Sequence, residues 1–322
     1  MALPIVRFRH QDQTRWGLLD GTHIQPITVP CTTTSELIEL GYAGVQSCLA
    51  TDQDKVDVGN VALLSPITTD AKVLCQGANY RQHMIDSGMN PDDKSFNMFF
   101  TKSSASITGP TGRIVKPRHV ELLDYEIEMT LVLGKRTQAP VQVTDDNLHE
   151  YVAGICIGND VSARDVQIPQ MQFHKGKSYR TFCPLGPVLC LLDKSEMHYL
   201  HEMQLRLTVN GDTRQQDSTD NLVFKPAETL TEYSQVQDFA PGDVLMTGTP
   251  SGCALGLPKP ALVKMVGLLP EAKKWQLFVK SQKRREHYLQ AGDVVESTIT
   301  SLDGRLHLGT QRHTVADEAT SQ

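Results

Sequence analysis

Two glutamates on one predicted strand are the side chains of this sequence best suited to chemistry. Residues 124–135 alternate between apolar and polar types, a period of two that indicates a β-strand. Glu126 and Glu128 therefore project from one face, with Cα atoms roughly 6–7 Å apart. Two carboxylates this close repel each other unless a proton, a cation or water intervenes. A solvated outer face is one interpretation. The apolar strand and a third carboxylate at Asp160 favour a divalent metal ion held by oxygen ligands.

A histidine and a carboxylate one helical turn apart suggest a general base. A predicted strand over residues 72–75 leads into a short helix that Asn79 could cap and Gly88 could end. On that helix His83 and Asp86 face the same way. A neighbouring carboxylate fixes the tautomer of an imidazole and stabilises its protonated form. Such a pair also occurs without any catalytic role.

Further polar residues follow predicted strands. Residues 152–158 predict a buried strand that runs into Asp160, and a loop on a rigid scaffold suits a metal ligand. Arg164 and Gln167 come next, on one predicted helical turn. The strand predicted over residues 99–104 carries Lys102.

Two glycine-rich segments add two candidates. Lys177 lies in a predicted loop over residues 175–187, which its glycines and prolines constrain. Thr249 lies in a turn over residues 248–252, whose amides and hydroxyl could hold a carboxylate. A surface lysine or an ordinary tight turn would give the same local pattern.

The bulk properties exclude several classes of protein. A chain of 322 residues with a net charge of −6 has no basic excess for binding nucleic acid. No apolar run approaches the roughly 20 residues that span a bilayer, and the start lacks a signal-peptide pattern. The seven cysteines are scattered without a C-x-x-C pair, which argues against a disulfide framework or a zinc–thiolate site. A reducing, cytoplasmic setting is expected.

The chain divides near residue 70. Residues 1–70 predict a small N-terminal domain, with strands at residues 5–9 and 15–19 and a short helix at 35–40. Residues 71–322 carry the candidate site residues. Within them, residues 205–209 alternate into Asn210-Gly211, a strong hairpin signal.

Five segments in order resemble the fumarylacetoacetate hydrolase superfamily over about residues 72–312. They are Asn79-Tyr80-x-x-His83, Asp124-Tyr125-Glu126-x-Glu128, Asn159-Asp160-Val161-Ser162-Ala163-Arg164-Asp165, Gly176-Lys177-Ser178 with Thr181-Phe182-Cys183-Pro184-Leu185-Gly186-Pro187, and Gly248-Thr249-Pro250-Ser251-Gly252. The resemblance implies an α+β, mostly β fold, a mixed β-sandwich roll with short helices at the active-site mouth, and a homodimer.

The resemblance also implies roles for individual residues. Glu126, Glu128 and Asp160 would hold Mg²⁺ or Mn²⁺. His83, helped by Asp86, would be the general base, and Lys177 would stabilise an enolate. Substrate would be bound by Arg81, Lys102, Arg164, Gln167 and Thr249.

Three departures from the family pattern stand out. Asp86 replaces the glutamate common in small members, and Gln76 stands where larger members have an extra metal-binding aspartate, which favours the acylpyruvate hydrolase-like branch. A basic segment is inserted at about residues 253–291. It contains Lys259, Lys264, Lys273, Lys274, Lys280, Lys283, Arg284 and Arg285. A solvated helical insert, a dimer-contact arm and a cationic lid over an anionic substrate are the alternatives.

The resulting hypothesis is a hydrolase that cleaves a carbon–carbon bond in a small anionic 1,3-diketo acid, of the acylpyruvate or fumarylpyruvate type. The metal would polarise the 2-oxo acid, His83 would activate water, and the departing enolate would be stabilised by the metal and Lys177. The alternative is a decarboxylase or tautomerase of oxaloacetate-like or 2-hydroxy-dienedioate substrates in aromatic catabolism. A non-catalytic binding protein is a third hypothesis, against which His83 and Lys177 count.

Overall fold

The computed structural model describes residues 2–51, 54–94, 96–256 and 269–319. Strands dominate the fold. They are β1 (Leu3–His10), β2 (Gln13–Asp20), β3 (His23–Pro26), β4 (Val56–Asp57), β5 (Ala62–Leu64), β6 (Val73–Gly77), β7 (Met98–Lys102), β8 (Ile107–Thr108), β9 (Thr111–Lys116), β10 (Leu123–Asp124), β11 (Ile127–Leu133), β12 (Val152–Asn159), β13 (Ser162–Ala163), β14 (Cys183–Pro184), β15 (Val188–Leu191), β16 (Met203–Val209), β17 (Asp212–Ser218), β18 (Val244–Met246), β19 (Val294–Ser301) and β20 (His307–Asp317).

The α-helices of the described residues are mostly one or two turns long. They are α1 (Thr34–Glu39), α2 (Gly41–Ser47), α3 (Arg81–Asp86), α4 (Leu148–Tyr151), α5 (Arg164–Gln170), α6 (Phe173–Lys177), α7 (Pro226–Tyr233) and α8 (Glu271–Gln282). None of them combines the length and the apolar character needed to cross a bilayer. The predicted α+β, mostly β class is confirmed.

The largest sheet runs through both predicted domains. Its strands lie in the order β4-β3-β2-β1-β15-β12-β11-β18-β6-β7, with β5 also paired to β1. The junction is the antiparallel pair β1–β15, in which Leu3 faces Leu191 and Val6 faces Val188. The N-terminal strands therefore extend the sheet that carries the candidate site.

A second sheet, in the order β17-β16-β19-β20-β9, packs against the first. One hydrophobic cluster joins Met129 and Leu131 of β11 to Leu205 and Ile299 of the second sheet. Val132, on the other face of β11, belongs to a separate cluster. All seven residues of β11 are buried. The alternative of a solvated outer face for this strand is therefore wrong.

Local signals predicted several elements correctly. Thr33 begins α1 with a capping box that includes Glu36, and the short helix predicted at residues 35–40 is confirmed. Asn210 and Gly211 take φ values of 53° and 87° in the tight turn between β16 and β17. Positive φ at both central residues is the conformation for which this dipeptide is favoured.

Two local predictions were wrong for identifiable reasons. Asn79 does not cap α3; its side chain bonds the backbone of Phe224 and Thr247. Lys177 lies not in a loop but at the end of α6. Gly176 lets α6 approach α5, because a Cβ there would lie 2.9 Å from the backbone nitrogen of Gln167.

Candidate active site

One cavity of about 420 Å³ gathers most of the predicted site residues. The predicted residues that line it are His83, Asp86, Glu126, Glu128, Asp160, Arg164, Gln167, Lys177 and Thr249. Arg81 and Lys102 are the two that do not. Apolar side chains, among them Met98, Phe100 and Phe173, form another part of the wall.

A break in the predicted strand sets the position of Glu126. Residues 124–135 are not one strand, because β10 ends at Asp124 and β11 begins at Ile127. Side chains bond the backbone across the break: Asn159 Oδ1 accepts from the Glu126 amide at 3.0 Å, and Gln215 Oε1 accepts from the Ile127 amide at 3.0 Å. Strand pairing resumes only beyond Glu126.

Three carboxylates converge at this break. Oxygen atoms of Glu126, Glu128 and Asp160 all lie within 4.8 Å of one another, and all three residues are buried. The amide of Gly248 donates to Glu128 Oε2 at 2.8 Å. This approach requires glycine, since Gly248 has a φ of 90° and a Cβ there would lie 2.9 Å from Asn79 Cβ.

Three buried cations are interleaved with these carboxylates. Lys177 Nζ donates to Glu126 Oε2, to Asp160 Oδ2 at 2.6 Å and to Ser162 Oγ at 2.8 Å. Arg164 donates to Glu126 Oε1 at 2.6 Å and Asp124 Oδ2 at 2.8 Å. Lys102 Nζ donates to Asp160 Oδ1 at 2.5 Å.

The charges of this buried cluster do not cancel. Four carboxylates face three cations: Asp124, Glu126, Glu128 and Asp160 against Lys102, Arg164 and Lys177. Full ionisation therefore leaves one negative charge. Glu128 bears the excess, because within the described residues no cation forms a salt bridge with it.

The pKa shifts of these groups follow from the arrangement of the charges. Burial opposes ionisation of Glu126, but the nearby Arg164 and Lys177 outweigh it and lower the pKa of this carboxyl. Burial, followed by the charges of Asp160 and Glu126, raises the pKa of Glu128 well above its ordinary value. Burial also opposes the charge of Lys177, yet Asp160 and Glu126 raise the pKa of its ammonium.

A divalent cation fits this donor set. Carboxylate oxygens are the ligands that Mg²⁺ and Mn²⁺ prefer. A cation beside Glu128 would also relieve the repulsion that raises the pKa of that carboxyl. Glu126, Glu128 and Asp160 are thus able to hold such an ion.

The predicted His83–Asp86 pair does not form a hydrogen bond. Asp86 instead accepts from Gln82 Nε2 at 2.8 Å and from the Ser251 hydroxyl. Burial lowers the pKa of His83, although the charge of Glu126 works in the opposite direction. The ring is therefore neutral at pH 7, as a base must be.

Two predicted substrate-binding residues contact the protein instead. Arg81 is exposed and pairs with Asp92 at 2.9 Å. The Lys102 side chain is buried, and its ammonium bonds Asp160 and the Val161 carbonyl. These contacts assign Lys102 to holding Asp160 in place.

The other predicted substrate-binding residues line the cavity, but each already forms hydrogen bonds with other protein groups. Thr249 Oγ1 donates to the Ile127 carbonyl at 2.8 Å, so its hydroxyl hydrogen is not directed at a ligand. Gln167 Oε1 accepts from Arg164 Nη1 at 2.8 Å. The Arg164 guanidinium in turn donates hydrogen bonds to Asp124, Glu126 and Gln167.

Sequence reasoning assigned no site role to three residues that line this cavity or support its wall. Gln215 holds the Thr249 turn through Thr249 Oγ1 and Pro250 O, at 2.8 Å each. Cys253 directs its thiol at Glu126 Oε1, 3.7 Å away. Arg285 lines the cavity, with its Nε donating to Ala254 O at 2.9 Å. No local motif marks Gln215 or Cys253, while Arg285 stood out only as part of the basic run.

The basic segment is helical where the structure describes it. Helix α8 is largely exposed, and Phe278 and Val279 pack against the main core. Leu277, on the same helix, is exposed. Lys259 and Lys264 lie outside the described residues.

Two protein-family models match this chain, and together they cover most of its length. The model of the Fumarylacetoacetate (FAA) hydrolase C-terminal family matches residues 72–316, and that of the Rv2993c-like N-terminal family matches residues 5–66. The chain belongs to the fumarylacetoacetate hydrolase family. The two matches meet near the predicted boundary at residue 70.

Relatives of this chain carry the names of different reactions. The Bos taurus oxaloacetate tautomerase FAHD2A, mitochondrial, is 35% identical over 253 residues, which cover 77% of this chain and 78% of the relative. A probable 2-hydroxyhepta-2,4-diene-1,7-dioate isomerase from Mycobacterium abscessus is 29% identical with a TM-score of 0.73, over 99% of this chain and 100% of that one. The fumarylacetoacetate hydrolase of Exiguobacterium antarcticum is 28% identical with a TM-score of 0.74, over 98% and 100%. All three names are those of enzymes.

Proposed function

We propose that this protein is a metal-dependent tautomerase or isomerase of a small 2-oxo dicarboxylate of the oxaloacetate type. This was the alternative hypothesis from the sequence, and the 35% identity to an oxaloacetate tautomerase over three-quarters of both chains favours it. The observation that carries it is that a neutral His83 and a charged Lys177 line one cavity, both next to Glu126.

The proposed reaction moves one proton. A ring nitrogen of His83 takes a proton from the carbon next to the 2-oxo group and returns it to the enolate oxygen, so that no water is consumed. The enolate's negative charge develops near Lys177. All three hydrogens of the Lys177 ammonium already bond Glu126, Asp160 and Ser162, so the lysine acts through a fixed positive field.

Mg²⁺ or Mn²⁺ held by Glu126, Glu128 and Asp160 would supply the charge that polarises the 2-oxo group. The protein residues do the rest of the positioning. Arg164 and Lys102 hold Glu126 and Asp160 in place.

Arg285 is proposed to bind the second carboxylate of the substrate. Its guanidinium lines the cavity and is anchored through Nε to Ala254 O. Within the described residues it forms no salt bridge, unlike Arg164 and Lys177. An unpaired guanidinium suits a carboxylate, which it can bind through two parallel hydrogen bonds.

Hydrolysis of a carbon–carbon bond remains the second candidate. The apolar wall that includes Met98, Phe100 and Phe173 would accommodate the acyl end of an acylpyruvate. The similarity to an oxaloacetate tautomerase gives this reaction less support than tautomerisation.

One experiment separates these reactions. Purified protein with Mg²⁺ is mixed with freshly dissolved enol oxaloacetate, and the enol absorbance, pyruvate formation and acylpyruvate cleavage are followed in parallel. We expect accelerated loss of the enol without matching pyruvate formation. Acylpyruvate cleavage alone would contradict the proposal, as would an unchanged enol decay.

The role of Arg285 has its own test. Arg285→Gln should raise KM for oxaloacetate by roughly 10-fold or more, since losing a charged hydrogen-bonded contact typically costs about 1.5–3 kcal/mol. The neighbouring Arg284→Gln is the control and should be mild. Equal effects of the two substitutions would refute the assignment.

A further inference from the structure

A second set of side chains able to bind a metal ion lies in the same cavity. A ring nitrogen of His83, a carboxylate oxygen of Glu126 and the sulfur of Cys253 all lie within 4.8 Å of one another. The thiol of Cys253 is 3.7 Å from Glu126 Oε1. All three residues line the cavity.

The three side chains come from separate elements that are each held in place. His83 is on α3, and Glu126 is in the break before β11. Cys253 follows the 248–252 turn, where Gln215 Nε2 contacts its sulfur at 3.6 Å and also bonds Pro250 O. The set is thus built from three fixed positions and is distinct from a lone reactive cysteine.

The donor atoms differ in kind from those of the carboxylate cluster. One nitrogen, one sulfur and one oxygen form a set typical of Zn²⁺, whereas Mg²⁺ prefers oxygen alone. In a tetrahedral zinc site the ligand atoms lie about 3.3–3.8 Å apart, as follows from zinc–ligand bonds of about 2.0–2.3 Å. Side-chain shifts of about 1 Å would close the present arrangement around an ion.

We propose that His83, Glu126 and Cys253 bind Zn²⁺ or a similar thiophilic divalent ion, and that this ion inhibits the enzyme. Binding displaces the thiol proton of Cys253 to solvent and forms a sulfur–metal bond, with the fourth position open to water. Because Glu126 belongs to both sets, we expect Zn²⁺ and the catalytic ion to compete for its carboxylate. Zn²⁺ also engages His83, the proposed base. The inhibition rests on the proposed function, but the binding site does not.

Cadmium provides a direct readout of binding, because cadmium–thiolate bonds absorb in the ultraviolet. Cys31 and Cys48 are also partly accessible, so the titration uses the Cys31→Ala/Cys48→Ala protein as background. We expect one Cd²⁺ per chain with thiolate absorption in this background. Adding Cys253→Ala should abolish the absorption, and circular dichroism checks that the fold is kept.

Two further measurements test the other ligands. His83→Ala should weaken Cd²⁺ binding at least about tenfold, since even groups that merely support metal ligands are worth about 10–100-fold in affinity. Excess Mg²⁺ should weaken Cd²⁺ binding in the background protein. Thiolate absorption that survives Cys253→Ala, or is absent from the background, would overturn the site. Binding unaffected by Mg²⁺ would overturn the sharing of Glu126.

Discussion

Lys177 is the residue at which the structure changes an expectation from the sequence. Lys177→Met removes the charge and keeps most of the bulk, so turnover should fall by about 10²–10³-fold, the range for losing one charge-stabilising donor. The sequence alone suggests an unchanged metal affinity. Since the ammonium bonds Glu126 and Asp160, its removal should instead strengthen Mg²⁺ binding. Steady-state kinetics and Mg²⁺ calorimetry check both effects.

Lys175 is the matched control for this substitution. It lies on the same short helix, α6, but is exposed. Lys175→Met should leave turnover and Mg²⁺ affinity within about a factor of two, as is usual for surface changes of up to about 0.5 kcal/mol. If both lysine variants lose activity equally, Lys177 has no special role.

Glu128 offers the cleanest test of the metal site. Glu128→Gln keeps an oxygen for the Gly248 amide but removes the carboxylate that bears the excess charge. Mg²⁺ affinity should fall at least about tenfold, and the melting temperature without Mg²⁺ should rise, because repulsion from Asp160 and Glu126 is relieved. Calorimetry and thermal melts measure the two quantities. Unchanged Mg²⁺ affinity, or no Mg²⁺ binding by the wild type, would contradict the site.

Glu126→Ala is the harsher variant expected to abolish both Mg²⁺ binding and turnover. It also breaks one of the two buried ion pairs of Arg164 and of Lys177, and leaves them only Asp124 and Asp160. Breaking buried ion pairs costs about 3–5 kcal/mol. The activity of this variant must therefore be compared with its measured free energy of unfolding.

Some site residues could be predicted from the sequence, whereas the contacts of others could not. The shared face of Glu126 and Glu128, with the family pattern around Asp160, was enough to predict the carboxylate cluster. Spacing alone could not show which way Asp86 turns, because Ser251 across the cavity competes with His83 for its carboxylate. Gln215 was unpredictable for a similar reason: its partners Thr249, Pro250 and Ile127 are 34, 35 and 88 residues away in the chain.

At the scale of elements, β20 contains a group whose protonation should affect stability. His313 is buried on this strand, facing Val295 of β19 and Gly112 of β9, and it bonds the Gly109 carbonyl at 2.9 Å. Burial lowers its pKa, although the bond to Gly109 opposes the shift. The folded state therefore favours the neutral ring.

The sign of the pH dependence follows. Above about pH 6.5, the ordinary pKa of histidine, the ring is neutral in both states and its contribution is fully present. As pH falls, the unfolded chain takes up the proton first and stability is lost, by at most about 1.4 kcal/mol per pH unit. His313→Gln should flatten the free energy of unfolding between about pH 6.5 and 5. Denaturant titrations at several pH values measure this slope, and an unaltered slope would rule His313 out.

Elements were predictable where the signal is local. The short helix α1 and the Asn210-Gly211 turn depend on a few adjacent residues, and both were predicted. The break before β11 was not, because distant side chains, Asn159 and Gln215, take over its backbone bonds. Helix α6 was read as a loop because its five residues are too few for a periodic pattern.

At the scale of the molecule, the shared sheet predicts a single unfolding transition. The pairing of β1 with β15 and two hydrophobic clusters that each join both predicted domains tie residues 1–70 to the rest. The sequence has two tryptophans, and Trp16 on β2 is buried. In Trp275→Phe, fluorescence of Trp16 therefore reports on the N-terminal part alone.

The unfolding midpoint from Trp16 fluorescence should coincide with that from far-UV circular dichroism, as two-state unfolding requires. The wild-type dichroism curve is the control for the substitution. A Trp16 transition at clearly lower denaturant would mean that the N-terminal strands unfold independently.

The excess negative charge of the buried cluster also affects the order in which ligands bind. With Glu128 ionised, the cluster carries one negative charge in excess and would repel the proposed doubly anionic substrate until a divalent cation reverses the sign. We therefore predict an ordered mechanism in which the ion binds before the substrate. Once bound, the substrate dianion holds the ion by its own charge, so we expect the ion to dissociate slowly during turnover and quickly from the resting enzyme.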